Sequence, residues 1–180
     1  LFDDYLRSRA QARGEPFVAF DIERDYLAHV DGKPREAGVR DFLASRGITL
    51  PEGPERPTAQ GPASGGDPDA QTVHRLAQRK NEYFQAWLAR HVVQAFPGTL
   101  ALLAALRQAA VRTAVFSASR NAKAVLRSAA VLEQFDACVD GSDAARLHLA
   151  GKPDPALLHE AARRLGATPA DCAVVEDALA

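Results

Sequence analysis

The chain has 180 residues, of which 47% are hydrophobic and 25% are charged, a composition that is ordinary for soluble globular proteins. Its formal net charge of −1 indicates no electrostatic preference for nucleic acid or for a membrane surface. No apolar run approaches the roughly 20 residues that a membrane-spanning helix needs. We expect a cytoplasmic monomer with neither a nucleic acid nor a membrane as its partner.

The pattern of apolar residues divides the chain into a mostly helical part, residues 1–95, and a part with alternating helices and strands, residues 96–180. The first helix shows its apolar face from the first residue onward, and no capping residue precedes it. The chain also contains no methionine. We therefore expect that further residues precede Leu1 and that this sequence is a fragment.

Two more helices are predicted in the first part, and a loop separates them. Val39, Phe42 and Leu43 share one face of the earlier helix. Residues 51–72 are rich in proline and glycine, which predicts a flexible loop. The later helix carries an apolar stripe that we expect to pack in the core: Leu76, Tyr83, Trp87 and Leu88.

The second part contains three short apolar runs, RTAVFSAS, FDACVDG and CAVVED, which are separated by helical segments. Strands alternating with helices of about 10 to 15 residues are typical of a parallel sheet, which predicts an α/β fold. The two cysteines, Cys138 and Cys172, lie in two of these runs and are expected to be buried, reduced thiols. In such sheets, ligands bind at the carboxyl ends of the strands.

Polar residues cluster where these strands are predicted to end. Ser117 and Ser119 follow the first strand, Glu176 and Asp177 follow the last, and Lys152 lies in the intervening loop. Each has an ordinary explanation as a turn, a helix cap or a solvated surface residue. Together they suit phosphoryl transfer, because a carboxylate pair binds Mg²⁺ while a lysine and hydroxyls stabilise the charge of the transferring group.

The segments FSASRN, AGKPDP and VVEDALA resemble three motifs of the haloacid dehalogenase superfamily. The helical part resembles the cap domain of that superfamily, and DGKPRE and LAQRKNEYF are similar to segments of its β-phosphoglucomutase group. The resemblance implies a Rossmann-like parallel-sheet core, residues 96–180, with an inserted helical cap, residues 1–95. The core would be incomplete in this chain.

The resemblance also implies a role for individual residues. Ser117 would hydrogen-bond the transferring phosphoryl group and Lys152 would stabilise its charge, while Glu176 and Asp177 would contribute to a Mg²⁺ site. The remaining residues would bind the other phosphate or the sugar of a small phosphosugar substrate: Arg35, Lys80 and Asn81 from the cap, and Ser119, Arg120 and Asn121 from the core. Lys123, on the helix after FSASRN, is predicted to lie on the surface.

The first motif of the superfamily, a strand ending in FDxDG that carries the nucleophilic aspartate, is absent from the sequence. AFDIERDY at residues 19–26 resembles it superficially, with Asp21 and Asp25. Its spacing differs, no glycine follows, and the segment lies in the predicted cap, so we reject Asp21 as the nucleophile. We expect the 180-residue chain to be inactive on its own.

The function that the resemblance implies for the intact protein is interconversion of β-glucose 1-phosphate and glucose 6-phosphate through an aspartyl-phosphate, with Mg²⁺. A phosphatase of the same fold, acting on a small phosphorylated metabolite, is the alternative. Dehalogenation is disfavoured, because the Glu176–Asp177 pair indicates a metal that halide displacement does not need. A third interpretation is that this polypeptide binds Mg²⁺ or a phosphosugar without catalysing a reaction.

Overall fold

The computed structural model describes residues 1–53 and 71–176. Contacts divide the chain into two units: unit 1 comprises Leu1–Asp31 and Arg35–Trp87, and unit 2 comprises Gly32–Pro34 and Leu88–Ala180. The sequence predicts the boundary at residue 95, whereas the contacts place it between Trp87 and Leu88. An irregular segment that precedes Pro97 lies between these two positions. In that segment the Val93 amide donates to Ser128 Oγ at 3.1 Å, which ties it to unit 2.

Unit 1 is helical, as predicted, and its core is formed where three helices turn their apolar faces inward. Residues spaced three or four apart share one side of a helix, and those on the inner sides are buried here. The ring centroids of Phe2, Phe20 and Phe42 lie 4.6–5.0 Å from one another. The helical elements are α1 (Phe2–Arg13), a π-helical segment (Ile22–Leu27), α2 (Arg35–Ser45) and α3 (Val73–Leu88).

The apolar stripe predicted along α3 is buried only in its first turns. Leu76 is fully buried, whereas Tyr83 and Trp87 are 53% and 46% exposed and Leu88 is half-buried. The prediction that Tyr83 and Trp87 pack in the core is therefore wrong. Periodicity identifies which side of α3 is apolar, but the core of unit 1 covers only the beginning of that side.

Unit 2 contains a parallel sheet of two strands, β1 (Ala114–Phe116) and β2 (Ala137–Val139), among the described residues. Ala114 pairs with Ala137 and Phe116 with Val139. The crossover between the strands includes a helix, which is the arrangement that parallel strands require. The helices of unit 2 are α4 (Pro97–Gln108), α5 (Ala122–Ser128), α6 (Gly141–Leu147) and α7 (Ala156–Leu165). This arrangement confirms the predicted α/β fold class.

The core of unit 2 lies between this sheet and α7. Val139 is fully buried and packs with Leu157 and Ala161 of α7. Ala114 and Phe116 of β1 complete this layer. The carboxyl ends of both strands therefore lie at one edge of a small sheet that α7 supports.

The predicted third strand, CAVVED, is absent from the described residues, where 172–176 run without regular secondary structure. Val174 and Val175 are 52% and 89% exposed, so the prediction that this run is a buried strand is wrong. An extended segment becomes a strand only when a neighbouring backbone supplies ladder hydrogen bonds, and the described sheet contains only β1 and β2.

Two smaller expectations concern the cysteines and the proline-rich loop. Cys138 and Cys172 are free thiols, as predicted, but both are half-buried rather than buried. Most of the predicted loop at 51–72 lies outside the described residues, since 54–70 are not among them.

In the part of the chain that the structure describes, no helix is both long enough and apolar enough to cross a membrane.

Candidate functional site

The loop that follows β1 carries four of the predicted site residues. The Ser117 amide donates to Val139 O at 2.9 Å, which extends the pairing of β1 with β2 by one residue. The Ser119 amide donates to Ser117 Oγ, and the Asn121 amide donates to Ser119 Oγ, both at 3.1 Å. Because each hydroxyl accepts a backbone hydrogen bond, its own proton is left to donate to a ligand oxygen. Ser119 and Arg120 are exposed, so this loop presents polar groups to solvent.

Lys152 and Glu176 form an ion pair close to the end of β1. Lys152 Nζ lies 2.8 Å from Glu176 Oε2, with 19% and 33% of the two side chains exposed. The same nitrogen lies 5.9 Å from the ring centroid of Phe116, the last residue of β1. The structure therefore places an ammonium group and a carboxylate at the strand edge where the sequence predicts them.

The second predicted metal ligand, Asp177, lies outside the described residues. No cluster of three or more histidine, cysteine, aspartate or glutamate side chains that could hold a metal occurs among the described residues. Glu176 supplies an oxygen ligand of the kind that Mg²⁺ prefers, and Mg²⁺ in phosphoryl transfer takes one or two carboxylates together with phosphate oxygens and water. The carboxylate of Glu176 is therefore a suitable ligand for such a site, which would need further ligands beside it.

Unit 1 brings together the three residues predicted to bind substrate from the helical part: Arg35, Lys80 and Asn81. Arg35 Nη2 donates to Asn81 Oδ1 at 2.9 Å. Lys80 Nζ lies 6.0 Å from the ring centroid of Tyr26. Burial, followed by the nearby charge of Arg35, lowers the pKa of Lys80. Two cations held close together on a partly desolvated surface favour the binding of an anion.

A group of charged residues around two buried carboxylates, which sequence analysis missed, lies beside the end of β2. We call Lys123, Asp140, Asp143 and Arg164 the β2 charge cluster. Lys123 Nζ lies 3.3 Å from Asp140 Oδ2 and 3.1 Å from Asp143 Oδ2, and Arg164 Nη2 lies 3.0 Å from Asp143 Oδ1. Asp140 and Asp143 are only 2% and 7% exposed. Lys123, predicted to be a surface residue, therefore bridges two buried carboxylates.

The hydrogen bonds of the cluster shift the pKa values of Asp143 and Lys123. Arg164, with Arg146 and Lys123, holds the pKa of Asp143 far below its usual range. Asp143, with Asp140, raises the pKa of Lys123. The local signal for these acids was present in the sequence: Asp140 caps α6, and Asp143, three residues later, completes a capping box. The pairing with Lys123 and Arg164, about 20 positions away, had no local signal.

Acid is expected to destabilise unit 2 through Asp143 and its neighbour Glu160. Arg163 and Arg164 lower the pKa of Glu160 to about 2, from an ordinary value of 4.5. A depressed carboxyl pKa contributes stability that is present above the unfolded value and is lost as the pH falls toward the folded value. We expect the free energy of unfolding, followed by circular dichroism in denaturant, to fall from pH 4.5 toward pH 2.

The matched variants for this prediction are Asp143→Asn and Glu133→Gln, the second at an exposed position. Asp143→Asn should lower stability at pH 7 and flatten its decline in acid, because the amide that replaces the carboxylate has no charge to lose. Glu133→Gln should retain the wild-type decline. An equally steep decline in all three proteins would contradict the assignment.

The rejected candidate Asp21 has a role in unit 1. Its side chain caps the π-helical segment by accepting from the Arg24 amide at 2.8 Å. Asp25 is buried, and Arg46 Nε and Nη2 donate to its two oxygens at 2.8 and 2.5 Å. Both carboxylates are thus engaged in hydrogen bonds within unit 1.

Comparison with known proteins identifies the family. A model of haloacid dehalogenase-like hydrolases matches residues 7–180. The chain belongs to the haloacid dehalogenase-like hydrolase family. It is therefore a member of an enzyme family, and the predicted resemblance is confirmed.

The curated relatives of this haloacid dehalogenase-like chain include β-phosphoglucomutases. It is 42% identical over 180 residues to the β-phosphoglucomutase of Mycobacterium bovis, a match that covers 99% of this chain and 65% of that relative. It is 38% identical over 106 residues to the β-phosphoglucomutase of Bacillus subtilis, covering 58% of this chain and 45% of that relative. The chain thus spans less than two thirds of the length of either relative.

A solved structure supports the fold of this family member. The crystal structure of a putative β-phosphoglucomutase from Thermotoga maritima matches with a TM-score of 0.51 and 19% sequence identity. The match covers 94% of this chain and 65% of that one. At this level of identity, the likeness shows the fold alone, which agrees with the α/β class described above.

Proposed function

We propose that the chain belongs to a β-phosphoglucomutase-like enzyme, which interconverts β-glucose 1-phosphate and glucose 6-phosphate through an aspartyl-phosphate. The observation that carries the proposal is the ion pair between Lys152 and Glu176, 2.8 Å apart, beside the strand end that leads to Ser117. An ammonium, a hydroxyl and a carboxylate at one sheet edge suit the transfer of a phosphoryl group. The names of the relatives support the same reaction.

Each residue at this edge has a separate task in the proposal. Ser117 Oγ donates a hydrogen bond to an oxygen of the phosphoryl group, and Lys152 neutralises the charge that this group carries during transfer. Glu176 and Asp177 would hold Mg²⁺, which supplies further positive charge when it is bound. Glu176 would then exchange part of its contact with Lys152 for the ion.

Substrate recognition is proposed for two further groups, one in each unit. In unit 1, Arg35, Lys80 and Asn81 present cationic and amide donors to a phosphate or a sugar hydroxyl. In unit 2, Ser119, Arg120 and Asn121 do the same from the loop after β1. The assignment of unit 1 as a cap and of unit 2 as a core belongs to this proposal, as do a cytoplasmic location and a monomeric state.

A test with the 180-residue chain separates binding from catalysis. The sequence contains no FDxDG motif, so we expect no turnover of β-glucose 1-phosphate. We expect calorimetry to detect binding of glucose 6-phosphate that strengthens when Mg²⁺ is added. Turnover above that of a Lys152→Met control would contradict the expected inactivity and would restore Asp21 as a candidate nucleophile.

A phosphatase acting on a small phosphorylated metabolite is the second candidate, favoured by the hydrolase description of the family. Both reactions use the same phosphoryl-binding groups and differ in whether a sugar hydroxyl or water accepts the phosphoryl group. Release of inorganic phosphate without formation of the isomeric sugar phosphate would favour the phosphatase.

Replacing Lys80 by methionine is expected to separate stability from binding. The pKa of Lys80 is lower in the folded protein than its ordinary value of 10.5, so Lys80 binds a proton more readily in the unfolded chain. Below pH 10.5, the charged ammonium therefore costs folding free energy. Lys80→Met should therefore leave the melting temperature unchanged or raise it. Binding of glucose 6-phosphate should weaken by roughly tenfold, as expected for a lost charged hydrogen bond.

Arg75→Met is the matched control, since Arg75 is an exposed cation on the same helix. It should change neither quantity by a comparable amount. A Lys80→Met protein that melts at a clearly lower temperature would contradict the electrostatic cost assigned to Lys80. Unchanged affinity for glucose 6-phosphate would contradict its role in binding.

A further inference from the structure

The start of α6 touches the backbone of the loop after β1 directly. The Gly141 amide donates to Ser119 O at 3.1 Å. A Cβ atom at position 141 would collide with Ala118 O and would lie 2.9 Å from the Arg120 amide nitrogen. The loop that presents Ser117 and Ser119 therefore rests on a position where a side chain has no room.

The β2 charge cluster holds both partners of this contact in place. Asp140 and Asp143 flank Gly141, and Lys123 lies on α5, directly after the loop. The two contacts of Lys123 Nζ, 3.3 Å to Asp140 and 3.1 Å to Asp143, thus join the beginning of α5 to the beginning of α6.

Arg164 of α7 anchors the same group from the other side. Its Nη1 donates to Cys138 O of β2 at 2.6 Å and to Asp143 Oδ2 at 3.2 Å. A buried carboxylate is stable only while its charge remains paired, and among the described contacts Lys123 is the cation that pairs with Asp140, so removal of Lys123 would leave that charge uncompensated. The carboxylates consequently hold α5, α6, α7 and β2 in one fixed arrangement next to the loop.

We propose that Gly141 and the β2 charge cluster are positioning elements for phosphate recognition, which fix the backbone of residues 117–121 so that the hydroxyl groups of Ser117 and Ser119 converge on a phosphate. This inference rests on the proposed function for the identity of its ligand, a phosphate. The claim that these residues fix the position of the loop does not depend on that function. None of these residues needs to contact the substrate. Their effect reaches it through the Ser119 carbonyl and through the beginning of α5.

The first test compares two alanine substitutions in helical glycines of unit 2. Gly141→Ala should displace the loop, whereas Gly98→Ala introduces its Cβ into open space. By hydrogen exchange of the 180-residue chain, we expect the amides of Ser119 and Asn121 to exchange at least about tenfold faster in Gly141→Ala only, with β1 unchanged. Equal exchange of these amides in the two variants would overturn the proposal.

The second test removes a charge and then restores it. Lys123→Met should accelerate exchange at Ser119 and Asn121 and weaken the binding of inorganic phosphate by about tenfold, since small displacements of binding groups are costly. Lys123→Arg should recover both. Arg127→Met, at an exposed position of the same helix, should resemble the wild type. Uniformly faster exchange throughout β1, β2 and α7 would instead assign Lys123 to global stability and overturn the proposal.

The two readouts distinguish this inference from the proposed function. The exchange measurement needs no ligand, so it tests the positioning of the loop even if the wild-type chain does not bind phosphate. If the amides of Ser119 and Asn121 are protected in the wild type and exchange faster in both variants, but none of the proteins binds phosphate, the result would count against the proposed function and against phosphate as the ligand of the loop. Phosphate binding that Lys123→Met and Gly141→Ala leave intact would overturn the positioning role alone.

Discussion

Replacing Phe42 by alanine is expected to destabilise unit 1 by about 3–5 kcal/mol, the range for removing a large aromatic side chain from a packed core. Phe42 is fully buried, and its ring lies 4.6 Å from that of Phe2 and 5.0 Å from that of Phe20. Phe2 belongs to α1 and Phe42 to α2, so the cavity would separate two helices. Denaturant unfolding of the 180-residue chain measures the change.

The control for this prediction is Ile22→Ala, because Ile22 is 69% exposed. A surface substitution of this kind should change the free energy of unfolding by only about 0.5 kcal/mol. If Phe42→Ala cost no more than Ile22→Ala, the aromatic contact between α1 and α2 would not be the centre of the core.

Replacing Lys152 by methionine is expected to lower the rate of phosphoryl transfer by roughly 10²–10³-fold, as for other groups that stabilise charge in a transition state. Methionine preserves much of the volume of lysine but removes the ammonium that lies 2.8 Å from Glu176. The assay uses the complete natural protein, because the activity is proposed for the whole protein.

Two further variants make the Lys152 result specific. Lys152→Arg keeps the charge in a planar group of different shape and should retain part of the activity. Arg90→Met removes an exposed cation and should have wild-type activity. A Lys152→Met protein with more than half of the wild-type rate would show that Lys152 does not stabilise the transferring group.

The features that sequence predicted best are those whose cause is local. The helical faces with Val39, Phe42 and Leu43 follow from the spacing of apolar residues, and all three are buried. The parallel strands β1 and β2 follow from the alternation of strand and helix. The positions of Ser117 and Lys152 beside the end of β1 follow from the same alternation, while their roles in binding a ligand stay predictions.

The features that sequence missed depend on distant parts of the chain. Val175 is apolar, yet it is exposed because strand formation depends on a neighbouring backbone. Trp87 continues an apolar stripe, yet the core does not extend to it. Lys123 looked like an ordinary helical surface residue, since its partners Asp140 and Asp143 are 17 and 20 positions further along.

The most direct test of the proposed phosphoryl transfer follows the products of the full-length protein by phosphorus NMR. The protein is supplied with β-glucose 1-phosphate, Mg²⁺ and a catalytic amount of a glucose bisphosphate. The proposal predicts conversion to glucose 6-phosphate, with little inorganic phosphate, and loss of that conversion in Lys152→Met. Inorganic phosphate as the sole product, or a rate no higher than with a generic phosphate ester, would contradict it.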